Sequence, residues 1–180
     1  MLDVKALIEK HRAKGVLVDT NLLVLFLVGT VNKERITNFK RTGDFTIEDY
    51  ELLARLIAWF GRLIATPHVL SQVSDFTDMA GKELVASREL FRRLVIEQIE
   101  ETYDGSRVLV ADSCFDRFGL TDAAVATVCS RGVLAFTTDL ALYLMLQERN
   151  IDALNFNHVR PLAWRYRNAA LYPAVRRNIQ

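Results

Sequence analysis

Three aspartates, Asp19, Asp122 and Asp139, stand where a metal-dependent chemistry would need them. Asp19 follows the β-branched run Val16-Leu17-Val18, Asp139 follows Phe136-Thr137-Thr138, and Asp122 opens a run of small residues reaching Ser130. Far apart along the chain, they can share a task only if folding brings them together. Carboxylates held 4 Å apart repel by about 4 kcal/mol per pair at an effective dielectric near 20, unless a proton or a cation offsets the charge. A hard divalent ion does this, because Mg2+ and Mn2+ prefer oxygen ligands and bind through a few carboxylates beside substrate phosphates. An aspartate between strand and helix is also an ordinary N-cap, and any one of the three taken singly reads that way.

The elements that must position these residues follow from hydrophobic pattern and turn chemistry. Leu2 to Lys14 reads as a charged helix ended by Gly15, and Val16 to Val18 as a buried strand. Asn21 to Val28 continues as an apolar helix, after which Gly29 to Asp44 reads as an exposed, mobile connection carrying Lys33, Arg35, Lys40 and Arg41. Thr46 is the expected N-cap of a helix with Tyr50, Leu53, Ile57 and Phe60 on one face, closed by Gly61. A second strand is predicted at Leu63 to Thr66, with Pro67 opening the next helix, where its missing N–H costs nothing.

A long amphipathic helix is expected from Lys82 to about Tyr103, broken by Asp104-Gly105, and a third strand at Arg107 to Val110. A helix at Asp122 to Ser130, a fourth strand at Val133 to Thr137, a helix at Leu140 to Glu148 and a last strand within Ile151 to Phe156 complete the pattern. Strands alternating with helices in this way predict an α/β fold, a central mainly parallel sheet with helices on both faces. In such a sheet the cleft lies at the carboxyl ends of the strands, where Asp19 and Asp139 fall.

Composition sets bounds on the rest. The 180 residues suit a single domain over 1–180, with a basic C-terminal extension at 160–180 containing Arg160, Arg165, Arg167, Arg176 and Arg177. Since 23 Lys and Arg face 22 Asp and Glu, attraction for a polyanion has to be local. Cys114 and Cys129 lie in no CxxC pair, which points to free thiols in a reducing, cytoplasmic compartment. The longest apolar run, Leu22 to Val28, is too short for the roughly 20 residues of a membrane-spanning helix.

The segments VLVDTNLLVLFL, TPHVLSQVSDF and GLTDAAVATVCSRGVLAFTTDLAL, in this order, resemble the successive motifs of PIN domains, metal-dependent ribonucleases with an α/β sandwich. The resemblance spans residues 16–156. It implies that Asp19, Asp122 and Asp139 are metal ligands for Mg2+ or Mn2+, that Asn21 accompanies the first acid, and that Thr137 hydrogen-bonds near the site. Two positions depart from the pattern. Gln72 stands where the family carries a glutamate, with Asp75 one turn away as a substitute ligand, and Ala141 replaces a further acid found in many members.

The function implied is a nuclease hydrolysing RNA, a hydrolase of toxin-like or RNA-processing type. Arg35, Lys40, Arg41, Arg165 and Arg167 are its expected contacts to a single-stranded RNA, with Trp164 and Tyr166 available to stack on bases. An inhibitory protein partner or a second copy of the chain would fit the same family, and no membrane contact is expected. The departures at Gln72 and Ala141 favour the alternative of a weak or inactive PIN-like module that binds RNA or a protein. A phosphatase-like use of Asp19 as nucleophile is disfavoured, because Asn21 occupies the place expected of a general acid.

Overall fold

Val16, Leu17 and Val18 are each completely buried, which requires cover on both faces of the strand they form. This strand, β1 (Val16–Val18), is the middle of a five-stranded parallel sheet. A computed structural model describes residues 4–161. In it β1 is flanked by β2 (Leu63–Ala65) and β4 (Leu134–Thr137), with β3 (Ile99–Glu101) and β5 (Ala153–Asn155) at the edges, in the order β3-β2-β1-β4-β5. The register sets Val16 against Leu63, and Leu17 and Val18 against Ala135 and Phe136.

Helices α1 (Val4–His11), α2 (Thr20–Val31), α3 (Ile47–Trp59), α4 (Pro67–Phe76) and α5 (Gly81–Glu97) occupy the first part of the chain. Three further ones, α6 (Ser106–Leu109), α7 (Ser113–Phe118) and α8 (Leu120–Cys129), precede β4, and α9 (Leu140–Glu148) links β4 to β5. The chain leaves β1 toward β2 and β3, then returns to the other side of β1 for β4 and β5, with helices in the connections between the parallel strands. The predicted α/β sheet with flanking helices is what the chain forms. Among the described residues, no helix is long and apolar enough to cross a membrane.

Local signals explain several element ends. Thr46 and Asp49 form a reciprocal capping box at α3, and Pro67 opens α4 behind the Thr66 cap. Gly29 lets α2 and α3 approach closely, since a Cβ there would stand 2.3 Å from the Tyr50 ring. Gly29→Ala is therefore expected to lower stability by about 1–3 kcal/mol despite alanine's better helix propensity. A urea midpoint equal to or above that of the unsubstituted chain would contradict the close packing inferred here.

Two predicted elements need correction. The third strand is not at Arg107 to Val110, which lies over the short helix α6 with Val108 and Val110 exposed, but at Ile99–Glu101, inside the stretch read as a long helix. β3 is an edge strand whose side chains are mostly solvated, so Glu100 and Glu101 look like the polar face of a continuing helix. The Gly29 to Asp44 connection is structured as well. α2 runs to Val31 and a 3-10 turn spans Lys33–Asn38, while Ile36 and Thr42 are completely buried and the Thr42 hydroxyl donates to the Ile36 carbonyl at 2.6 Å.

The basic extension falls almost wholly outside the described residues, Arg165 and Arg167 with it. Arg160 is described and belongs to the folded body, donating to both oxygens of the buried Asp49 at 2.9 and 2.7 Å. Cys114 and Cys129 are free and buried, and burial pushes the Cys114 thiol up to about 11, which leaves it protonated at neutral pH.

Candidate metal centre

The order of strands reverses direction between β1 and β4, and the crevice beyond the carboxyl ends of such a pair is where α/β sheets place ligands. The sheet ladder reaches one residue beyond β1, because the Asp19 N–H donates to the Phe136 carbonyl at 2.9 Å. Asp19 is thereby fixed beside the end of β4. A cleft of about 320 Å³ opens here, and its lining includes Asp19, Thr20, Asn21, Gln72, Asp122, Thr137 and Asp139.

Asp19 serves both as a helix cap and as a cleft residue. Its Oδ1 accepts from the Leu22 N–H at 2.9 Å, capping α2, whereas Oδ2 accepts from the Thr138 N–H at 3.0 Å and from the Thr137 hydroxyl. Thr137 Oγ1 in turn accepts from the Asp139 N–H at 2.9 Å, and Asp139 Oδ1 caps α9 through the Leu142 N–H at 2.9 Å. One buried hydroxyl thus joins the two acids at the strand ends. The cap role and the site role coexist, because capping engages one carboxylate oxygen and each oxygen has two acceptor positions.

Asp122 lies in the first turn of α8, which begins at Leu120 rather than at Asp122 itself. Gly119 precedes that helix at φ +83°, a left-handed conformation that glycine adopts without strain. Burial first, and then the negative charges of Asp139 and Asp19, push the Asp122 carboxyl up to about 6. Asp19 is also raised, mainly by burial, against the lowering effect of its hydrogen bonds from Thr137, Leu22 and Thr138. Among the described residues, the cleft lining contains these three carboxylates and no lysine or arginine.

Gln72 reaches the cleft and accepts from the Thr20 hydroxyl at 2.8 Å. Asp75 does not reach it. Asp75 is exposed on α4 and absent from the cleft wall, where Val69, Gln72 and Phe76 form the facing stripe. Ala141 contributes no acid, and it is exposed at the start of α9. Thr20, Phe76 and Phe118 were not predicted. Thr20 and Phe76 had a usable signal, one directly following Asp19 and the other one helical turn beyond Gln72.

The donor chemistry suits a hard cation, since every polar side chain named on the wall offers oxygen. The acids are not drawn into a finished ligand shell. Among the described residues, no three acidic, histidine or cysteine side chains are gathered closely enough to hold a metal ion as they stand. The histidines lie elsewhere. His11 is buried with Nε2 2.7 Å from Asp152, His68 lies on α4 outside the cleft lining, and His158 meets the Tyr143 ring edge-on at 5.2 Å between centroids.

The basic residues proposed for substrate contact are differently engaged. Arg35 Nε stands 3.0 Å from Glu83 Oε2, near enough to pair though outside hydrogen-bond alignment, and Lys33 pairs with Glu51 at 3.0 Å. Lys40 is exposed. Arg41 lies over the ring of Phe76, a cleft residue, 3.7 Å from its centroid. Neither a protein-family model nor a curated protein matches the chain.

Proposed function

We propose that the chain is a metal-dependent endoribonuclease of PIN-like type, hydrolysing phosphodiester bonds in RNA with Mg2+ or Mn2+. One observation carries the reading: the strands on either side of the sheet's reversal, β1 and β4, bring Asp19 and Asp139 to one cleft whose wall also holds Asp122. Three carboxylates sharing a part-buried cleft make a poor resting site for bare charge. Burial foremost, and then repulsion between the acids, raises the Asp19 and Asp122 carboxyls, and a divalent ion would offset that cost.

Asp19, Asp122 and Asp139 would hold the ion, with Gln72 and Asn21 as neutral oxygen donors at its margin. When bound, the ion supplies Lewis acidity toward phosphate and water. Thr137 orients the Asp19 carboxylate and fixes the Asp139 backbone, so both acids keep their places as a substrate enters. No side-chain nucleophile is required.

The second reading is a weak or inactive module that binds RNA or a protein. It is favoured by Gln72, whose amide brings no charge and is engaged by Thr20, and by the ungathered acids. The two readings separate on one assay. A labelled single-stranded RNA incubated with Mn2+ or Mg2+ is expected to be cut internally, and an excess of chelator is expected to stop the reaction. RNA left intact in both metals, by protein shown to be folded, would favour the module.

A further inference from the structure

β5 ends beside β4, with Asn155 opposite Thr137 in the ladder, and the chain then turns toward the loop that carries Asp139. Asn155 Oδ1 accepts from the Asn157 N–H at 2.9 Å, a local side-chain turn. Between them Phe156 is completely buried, its ring edge-on to Phe136 at 5.7 Å between centroids. Asn157 is thereby held against the β4–α9 turn although it is itself exposed. Its Nδ2 donates to the Thr138 carbonyl at 3.2 Å, and its Oδ1 accepts from Arg160 Nη1 at 3.1 Å. The amide can lie only this way round, because a guanidinium only donates and a carbonyl only accepts.

We infer that Asn157 is a positioning residue for the metal centre, holding Asp139 and the Asp19 carboxylate in place through a unidirectional chain of hydrogen bonds. The Thr138 carbonyl and the Asp139 N–H belong to a single planar peptide group, so a donor on that oxygen fixes the plane from which Asp139 projects. The same N–H donates to Thr137 Oγ1 at 2.9 Å, and the Thr137 hydroxyl gives its proton to Asp19 Oδ2. Every link points from Asn157 toward Asp19, and hydrogen bonds aligned head to tail polarise one another in a weakly screened interior. Asn157 bonds to neither carboxylate directly, and the chain is how an exposed side chain reaches a buried one. The inference rests on the nuclease reading and adds to its metal centre a residue outside the cleft wall.

The alternative is that Asn157 only fastens Arg160 at the end of the described chain. Asn157→Asp separates the two, since aspartate keeps an acceptor for Arg160 and loses the donor for Thr138. The test titrates Mn2+ alone into the full chain, following free Mn2+ by EPR, and records the Asp139 amide resonance in the metal-free protein. Asn157→Ala and Asn157→Asp are each expected to weaken Mn2+ binding about tenfold, the lower end of the loss when an outer partner of a metal ligand is removed. The Asp139 amide proton should move upfield in both, as its bond to Thr137 loses polarisation. A simple charge effect has the opposite sign in the aspartate variant, because added negative charge draws the metal in. Unchanged Mn2+ affinity in Asn157→Ala, wild-type affinity in Asn157→Asp, or an Asp139 resonance unmoved in both overturns the positioning role alone. A wild type that binds no Mn2+ overturns the metal centre and the positioning role with it.

Discussion

Asp19→Asn is expected to abolish metal-dependent RNA cleavage, lowering kcat/KM at least ~100-fold, the upper end of the roughly 10–100-fold loss typical when only an outer partner of a metal ligand is removed. The change is nearly isosteric, and asparagine caps a helix about as well as aspartate, so the bond from the Leu22 N–H can survive. At the other oxygen the effects oppose. An amide nitrogen there would face the Thr138 N–H and leave it without an acceptor, costing about 1–3 kcal/mol, while removal of a buried charge recovers part of that. The melting temperature should therefore move by only a few degrees while activity disappears. Asp75→Asn serves as the matched control, since Asp75 is exposed and outside the cleft, and its activity should equal that of the wild type. Full cleavage by the Asp19 variant, or equal damage from both substitutions, would remove the acidic cleft from the mechanism.

The second large effect runs in the opposite direction, toward greater stability. The Asp122 carboxyl is pushed up to about 6 in the folded chain, from an ordinary value of 3.8, by burial and by Asp139 and Asp19. The folded state thus holds this proton more tightly than the unfolded state does. Below about pH 4 the group is protonated in both states and imposes no cost. As pH rises from about 4 to 6 it ionises first in the unfolded chain, stability falls, and above pH 6 the full cost is present. Asp122→Asn removes that cost, so in chelator the variant should be more stable at pH 7.5 by on the order of 1–2 kcal/mol after allowance for solvent screening. Its advantage should vanish near pH 4. Saturating Mn2+ should reverse the ranking, because an ion at 100 times its Kd stabilises the wild type by about 2.7 kcal/mol and the variant by less. Urea midpoints at the two pH values, with and without metal, provide the measurement; identical pH dependence in both proteins would mean that Asp122 does not carry the charge described.

Much of this site was legible in the sequence for a simple reason. Val16 to Val18 and Leu134 to Thr137 are compact apolar runs that end at polar residues, and buried parallel strands leave that signature wherever they lie centrally. Asp19 and Asp139 were therefore placed correctly at strand ends, and the doubt between cap and cleft residue dissolves because each uses one oxygen for its cap. The edge strand Ile99–Glu101 was misread for the converse reason, since it buries little and its glutamates continue the charge pattern of α5. Gln72 and Asp75 lie only a turn apart on one helix, and spacing alone could not decide which reached the cleft. Neighbouring packing decides it, because the wall follows Val69, Gln72 and Phe76. Phe118 carried no local signal, as its place depends on how α7 meets α8 across Gly119.

The contact between Arg160 and Asp49 has a mechanical consequence. Arg160 also donates to the Asp44 carbonyl at 3.2 Å, and its guanidinium lies 5.5 Å from the centroid of the Phe45 ring. The first cation of the basic segment is thus already neutralised and anchored at the entrance to α3. Loss of that clamp by Arg160→Ala would leave the buried Asp49 without its cation and loosen residues 44–49, immediately after the stretch that carries Arg41 over Phe76. The last described cation of the chain is therefore clamped at the N-terminus of α3, so its charge serves the fold and is not presented to solvent.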